Sequence, residues 1–398
     1  MLKNAAFRAV TAGAMVLTTL LSSGVLAAGS GNGLDFKYMY YWDRNGVWNH
    51  TPTLAFFHKL PGFLKFQWNQ EFDAVSGASR RLGLRNVGRL GDHDQVLDGI
   101  SGASRREIRH SEQATFAYEN QGRVASGSFY YSDENDYTSY SPSAAAAWDF
   151  NDRNTTLSGS WALFLDNMHP KGGFAGQGGD RRIQSFNVGL AQVLTPLSLV
   201  SVSISPIRST GYLGHPYNPV VTASGAMVEE AMPAKKISVA LTGKWVQGYQ
   251  VGERLGSVHL EARHYRDDWE LVSNTLDAQW HQYVTDGAYV RLRARWYRQG
   301  AAAFFKEAYA GDEAYRTADV RFSSLSTLTL GLKVASTFPE SWAESGLLPD
   351  RWDIGYDHGL RDTKGQEDDL RPNSNYQLYG TDSYYMQGTF MAGMGFDF

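Results

Sequence analysis

Arg291, Arg293 and Arg295 alternate with Val290, Leu292, Ala294 and Trp296, so an extended segment from Ala288 to Tyr297 carries guanidinium groups on one face and apolar side chains on the other. Facing lipid, each arginine near a bilayer midplane would cost about 2 to 4 kcal/mol, which directs the row toward a water-filled interior. There it has two readings. It is the anion-attracting wall of a pore, or a structural row paired across strands with Glu261 and Arg263 on one side and Asp319 and Arg321 on the other. Lys65 and Glu71 share the ionic face of an earlier segment and join Glu261 and Arg263 as candidates for the lumen lining.

Three further groupings carry chemistry in principle. The hexapeptide S-G-A-S-R-R occurs at residues 76–81 and again at 101–106, so Arg80, Arg81, Arg105 and Arg106 are candidate contacts for an anion or a lipopolysaccharide phosphate, while Gly77 and Gly102 also suit plain turns. Asp92-His93-Asp94 and Asp357-His358 fall in polar stretches expected to be loops, where an Asp and His pair at a barrel rim would suit a hydrolase. Asp133, Glu134 and Asp136, and Glu367, Asp368 and Asp369, read as solvated loops or weak calcium sites. The ten histidines show no metal-site spacing, and with no cysteine there is neither a disulfide framework nor a thiol nucleophile. No catalytic residue, cofactor or metal is assigned.

The elements that must position these residues repeat with period two. Leu34, Phe36, Tyr38, Tyr40 and Trp42 oppose Asp35, Lys37, Met39 and Tyr41; Leu64, Phe66, Trp68 and Phe72 oppose Lys65, Gln67, Asn69, Glu71 and Asp73. Val200, Val202 and Ile204 oppose Ser201, Ser203 and Ser205, and similar runs return around Leu157, Phe186, Ile237 and Leu328. A soluble sandwich also alternates, but three features select a membrane barrel. Many segments run roughly 9 to 13 residues, suited to a tilted membrane crossing. Aromatic residues gather near segment ends, as interfacial girdles require. The chain closes on an alternating segment, Phe390, Ala392, Met394, Phe396 and Phe398, of the kind the barrel assembly machinery of bacterial outer membranes recognises.

Lys3 and Arg8, an apolar run from Val10 to Leu21 and small residues up to Ala27 form a secretory signal peptide pattern, and the apolar core is too short to span a membrane. Its removal takes two bases and no acid, leaving 35 bases against 41 acids, a net charge of −6. Such a balance gives no support for nucleic-acid binding. The expected organisation is therefore a signal peptide over residues 1–27 and one transmembrane, antiparallel, up-and-down β-barrel over residues 28–398. A repeat of about 23 residues per strand and connection gives 14 to 16 strands. Long connections are expected at 74–104, 167–181, 206–234, 299–313, 338–350 and 359–374, all facing outward, with tight turns on the periplasmic side.

Several spaced motifs resemble the domain of unknown function 3570 family: Phe72-Asp73-Ala74-Val75 followed by Ser76-Gly77-Ala78-Ser79, Asp149-Phe150-Asn151 leading to Asn154-Thr155-Thr156-Leu157-Ser158, and Arg263-His264-Tyr265-Arg266-Asp267-Asp268-Trp269. So do the segment from Arg293 to Phe305 and Thr317-Ala318-Asp319 through Gly331-Leu332-Lys333. The resemblance implies an exported bacterial β-barrel without an established activity, and it hints at a periplasmic or lipoprotein partner, including a redox one. The leading expectation is a non-enzymatic outer-membrane pore for small hydrophilic or anionic solutes. The alternatives are a non-conducting scaffold for such a partner and a rim-active hydrolase at Asp92, His93, Asp357 and His358.

Overall fold

The computed structural model describes residues 32–43, 48–75, 107–170, 178–216, 220–306, 309–317, 319–339, 349–362 and 384–397. β1 (Gly33–Asp43), β2 (Trp48–Lys59), β3 (Leu64–Val75), β4 (Glu107–Asn120), β5 (Arg123–Asp133), β6 (Tyr137–Phe150), β7 (Thr155–Met168), β8 (Gly179–Thr195) and β9 (Ser198–Gly211) follow one another. A small ribbon of β10 (Val220–Val221) and β11 (Met227–Val228) precedes β12 (Lys235–Val251), β13 (Arg254–Asp267), β14 (Val272–Tyr283) and β15 (Ala288–Gln299). β16 (Leu325–Thr337), β17 (Arg351–Asp362) and β18 (Tyr384–Asp397) complete the order. Each long strand pairs antiparallel with the next, β9 pairs directly with β12, and β1 pairs with β18, which closes sixteen strands into a barrel.

The two faces of that sheet are inverted relative to a water-soluble protein. Outward side chains such as Phe116 (57% exposed) and Val202 (54%) are apolar, whereas Asp35 (4%) and Asp166 (4%) are tucked inside. The alternation that the sequence displays thus resolves into grease outside and polar groups within, the arrangement a hydrocarbon solvent selects. Outward aromatics border the band at both ends, with Trp148 and Phe150 stacked at 5.0 Å near one rim and Tyr131 and Tyr140 at 5.2 Å near the other.

Strand parity fixes which end each connection occupies. β1 starts and β18 finishes at one end, where Gly33 faces Asp397, and this terminal end carries the tight turns. Between β4 and β5 the chain reverses in two residues, Gln121 (φ 47°) and Gly122 (φ 76°), the pair of positive φ values that matches the twist of a two-residue hairpin. The expectation that 338–350 faces outward is corrected. β16 runs toward the termini, and the flanks of this connection are tied there by Phe338 N–H to Asp350 O (2.8 Å) and Asp350 N–H to Gly395 O (2.7 Å). Other boundaries move too: β9 continues to Gly211 and β17 to Asp362, while the connection after β15 extends to Ser324 through a short 3-10 turn at Val320–Phe322. The signal segment 1–27, the repeat arginines Arg80, Arg81, Arg105 and Arg106, Asp92 and His93, the acidic run 367–369, and Phe398 lie outside the described residues.

Inverted burial predicts an inverted response to charge. Leu241→Arg, in the middle of the outward run from Ile237 to Trp245, is expected to lower folding stability in lipid vesicles by about 2 to 4 kcal/mol, whereas Ser203→Arg on the inner face changes it little. Urea titration of vesicle-folded protein followed by tryptophan fluorescence checks this; equal losses at the two positions would reverse the facing.

Candidate functional site

Inside the barrel the arginine row of β15 is held by carboxylates. Arg293 Nη2 lies 2.6 Å from Asp277 Oδ2 on β14, and its Nη1 lies 3.1 Å from Asp357 Oδ2 on β17. The second contact crosses an entire strand, because β16 places Gly331 between the two residues, in register with both. A Cβ at position 331 would collide with the Asp357 carboxylate and crowd Arg293 Cβ at 3.3 Å. The device recurs toward the terminal end. Gly395 separates Arg351 from Asp35, whose Nη2 and Oδ1 meet at 2.5 Å, and Gly393 separates Asp353 from Lys37. Lys333 Nζ to Asp353 Oδ2 at 2.9 Å links these pairs into a charged ladder over β14 to β18 and β1.

The cross-strand partners expected for the row are therefore corrected. Glu261 and Arg263 sit on β13, with β14 intervening, and Asp319 and Arg321 pair with each other at 2.5 Å in the connection beyond β15. Glu261 is in register with Lys244 and Asp277, and the Arg263 guanidinium lies over the Tyr265 ring at 5.5 Å. Arg291 approaches Asp357 Oδ1 only to 3.7 Å, and its buried Nε has no hydrogen-bond partner among the described residues. Arg295 faces Asp277 and Thr329 in register and makes no ion pair with a described residue. Lys65 meets Glu119 at 2.6 Å near the terminal rim, and Glu71 accepts from Arg109 (3.1 Å), which also binds Asp73.

The opposite wall has another chemistry. On β5 to β9 the inner positions include Ser128, Ser141, Ser160 and Ser185, then Ser201, Ser203, Ser205 and Ser209, with Gly189, Ala145 and Ala162 among them. Their bonds run along the wall, as in Thr115 Oγ1 to Ser128 Oγ (2.8 Å), Ser139 Oγ to Asp166 Oδ1 (2.7 Å) and Asn187 Nδ2 to Ser205 Oγ (2.7 Å). These short side chains share the inner face of the same strands with larger ones such as Tyr130, Phe164, Ile183 and Ile207.

At the loop end, the connections after β9 and β15 fold together. Thr222 bridges Tyr309 and Ala231 bridges Arg316; Val220 and Tyr309 are fully enclosed. The Tyr309 hydroxyl accepts from Lys306 N (3.0 Å) and Thr317 N (3.1 Å). Buried Glu230 is the hinge of this packing, since its carboxylate accepts hydrogen bonds from the His215 backbone N–H and the Thr317 hydroxyl. Burial pushes its pKa up to about 7 against the lowering effect of those bonds. Burial lowers His215, assisted by Arg321 and Arg181 and opposed by Asp319 and Asp136. Those four charges belong to β8 and to the connections after β5 and β15.

The Asp357-His358 grouping is corrected as well. Both residues are within β17 rather than a loop, and their side chains take opposite faces: Asp357 binds Arg293 inside, whereas the His358 ring lies 6.4 Å from Trp42 outside. They cannot act on one substrate. Asp133, Glu134 and Asp136 lie at the β5 to β6 connection, and no group of three or more metal-ligating side chains occurs among the described residues. Sequence reading missed Asp277, Glu230 and the bridging role of Gly331. No local signal pairs Asp277 with Arg293.

A closed sheet, apolar outside and lined by charge and hydroxyl groups inside, defines a transmembrane β-barrel. Within that class, the chain belongs to the family described as "Protein of unknown function (DUF3570)", which matches residues 7–349. Among solved structures it is similar to a bacterial polysaccharide outer membrane secretin (10% identity, 93% of this chain and 99% of that chain covered, TM-score 0.46). It is also similar to CdiB from Acinetobacter baumannii (9%, 92% and 60%, 0.48) and to a BenF-like porin from Pseudomonas fluorescens Pf-5 (10%, 94% and 100%, 0.40). No curated protein matches the sequence.

Two outcomes follow from this geometry. Gly331→Ala is expected to prise Asp357 from Arg293 and lower stability by about 1 to 2 kcal/mol, while Gly331→Ala in an Asp357→Gly background costs clearly less, as a double-mutant cycle in urea will measure. For Glu230, the raised pKa means the folded loop pair binds the proton more tightly than the open one. Its docking is strongest below about pH 4.5 and weakens as pH rises through about 7. Protease cleavage within 212–234 should increase from pH 5 to pH 8, and Glu230→Gln, which mimics the protonated acid, should flatten that increase.

Proposed function

We propose that this protein is an outer-membrane barrel acting as a passive pore for small hydrophilic solutes, with a preference for anions set by Arg295 and Arg263. The observation that carries the reading is the asymmetry of the inner wall. About a third of it, the five strands β5 to β9, is rich in serine, glycine and alanine at its inner positions, and sixteen strands enclose more cross-section than side chains of that size fill. The charged wall is largely neutralised by its own ladder, and the guanidinium groups of Arg295 and Arg263, which make no ion pair with a described residue, are among the inward bases left to meet a passing anion. Outer-membrane placement is supported by the greasy exterior and the antiparallel closure, since closed barrels are a principal way for strands to cross lipid.

A second reading, a closed scaffold for a periplasmic or lipoprotein partner, draws on the loop pair folded together around Glu230 and Tyr309 at the loop end. The two differ in a planar bilayer. A pore gives stepwise conductance with an anion-selective reversal potential, and Arg295→Glu combined with Arg263→Glu shifts that potential toward cations. Absence of channel activity from folded protein, together with co-purification of a stoichiometric partner, would favour the scaffold; conductance unaffected in selectivity by the double reversal would remove the arginine role.

A further inference from the structure

Five basic side chains stand on the outer face of the barrel at the loop-end edge of the apolar band: Arg182 on β8, Arg208 on β9, Lys235 at the start of β12, Arg266 on β13 and Arg298 on β15. Strand register draws them into one arc. Arg182 pairs with Thr210, which pairs with Lys235, and farther round Asn274 links His264 to Arg298. Toward the membrane centre the outward positions turn apolar, at once on β9, β12 and β15 and after one polar residue, Gln184 on β8 and His264 on β13, with Phe186, Ile204, Ile237, Leu260 and Trp296 all exposed. The arc therefore lies at the level where hydrocarbon gives way to headgroups.

Most of their counterparts inside are paired. Inward Arg109, Arg181, Arg293, Arg351, Lys236 and Lys333 each lie within 4.0 Å of a carboxylate. None of the five outward bases makes an ion pair or hydrogen bond with a described residue. The acids nearby are otherwise engaged or displaced: Asp180 accepts from Asn167 Nδ2 (2.7 Å), Asp268 accepts from Ile237 N (2.8 Å), and Glu270 sits in the β13 to β14 turn. A recess of about 300 Å³ opens between Arg182, Gln184, Arg208 and Thr210. Two guanidinium groups, an amide and a hydroxyl converge on it, the donor set that suits phosphate oxygens.

We propose that this arc binds the phosphate groups of a phosphorylated glycolipid in the membrane leaflet at the loop end, with the Arg182 and Arg208 recess as its anchor. The inference rests on the outer-membrane placement argued above, and not on conduction. The position argues for a lipid-borne phosphate over a free one. A headgroup seated in the recess lets its acyl chains run down the exposed Val188, Leu190, Val202 and Ile204, burial that inorganic phosphate cannot gain. The arc is also confined to one flank. Near the same end of β3 and β4 the outward polar residues are Gln70, His110 and Glu112, with His110 Nε2 3.2 Å from Glu112 Oε1, a surface that repels phosphate.

Full-length protein folded in detergent, with folding verified by heat-modifiable electrophoretic mobility, is titrated with diphosphoryl lipid A, dephosphorylated lipid A and inorganic phosphate, and bound species are counted by native mass spectrometry. Diphosphoryl lipid is expected to bind and the other two are not, and Arg182→Gln combined with Arg208→Gln should weaken that binding about tenfold or more. Arg123→Gln, at the opposite rim, should leave it unchanged. Equal binding of the dephosphorylated lipid, displacement by inorganic phosphate, or an unchanged affinity in the double variant overturns the proposal. The comparison of lipids on unaltered protein decides the matter should the double variant fail to fold. A protein that binds the lipid yet conducts no ions would refute the pore while leaving this site standing.

Discussion

Every peptide unit in this chain that crosses hydrocarbon must find its hydrogen-bond partner inside the protein, and that requirement is what the rest of the structure obeys. An open sheet would leave two rows of unpaired N–H and C=O groups in a medium that can satisfy neither, at several kcal/mol each. Pairing β1 with β18 over their whole shared length removes both rows together. Once the sheet is closed, a side chain has only two directions available, and period two stops being a preference and becomes an obligation. Phe36 and Asp35 are neighbours in the chain and live in different solvents.

Closure then creates a second problem inside. Ionic side chains packed along a concave wall need counter-charges, and neighbouring strands offer them only at fixed register. Two glycines of the ladder solve it geometrically: Gly331 and Gly395 vacate the strand between two charges and let Arg293 meet Asp357 and Arg351 meet Asp35 across it. Each bridge joins strands that do not hydrogen-bond to one another, so the ladder braces the cylinder around its circumference beyond what backbone pairing supplies. Bonds of this kind are partly sheltered from water, and severing one member leaves the other charged and unpaired, which is why their contribution exceeds that of a rim pair such as Lys65 with Glu119.

Legibility in the sequence followed the range of the interaction. The two-residue period is local, and it disclosed the architecture, the strand number to within two, and the face taken by Arg291, Lys65 and Glu71. The motif Arg263 to Trp269 was visible as a string, and its purpose emerges only in three dimensions: Asp267 Oδ1 accepts from the backbone of Trp269 and Leu271, both at 3.0 Å, while Asp267 Oδ2 holds Lys236 at 3.0 Å, so the string closes the β13 to β14 hairpin. What stayed hidden depends on register across many strands. Nothing near Arg293 announces that its partner is 64 residues away across a glycine. The Asp357-His358 pair misled for the same reason: adjacent letters suggest a dyad, and a strand sends adjacent side chains apart. Connection 338–350 was misplaced because its length alone was weighed, whereas strand parity decides the end it occupies.

The inner surface finally sets charge on one wall against hydroxyl groups on the other. A small anion travelling the axis would experience the two unequally. The ladder presents carboxylates and guanidinium groups alternately, so its field falls off within a few ångströms of the wall, and Arg295 and Arg263 are the guanidinium groups among the inward bases that make no ion pair with a described residue. The serine wall offers donors and acceptors that rotate to suit any hydrated solute and bind none strongly. Weak, adaptable contact on one side and a localised attraction on the other is the combination under which a solute enters readily and still leaves, the balance that conduction requires. A strongly binding interior would need converging unpaired charges at one level, and the described residues arrange theirs in the opposite way, spread along the strands and neutralised in place.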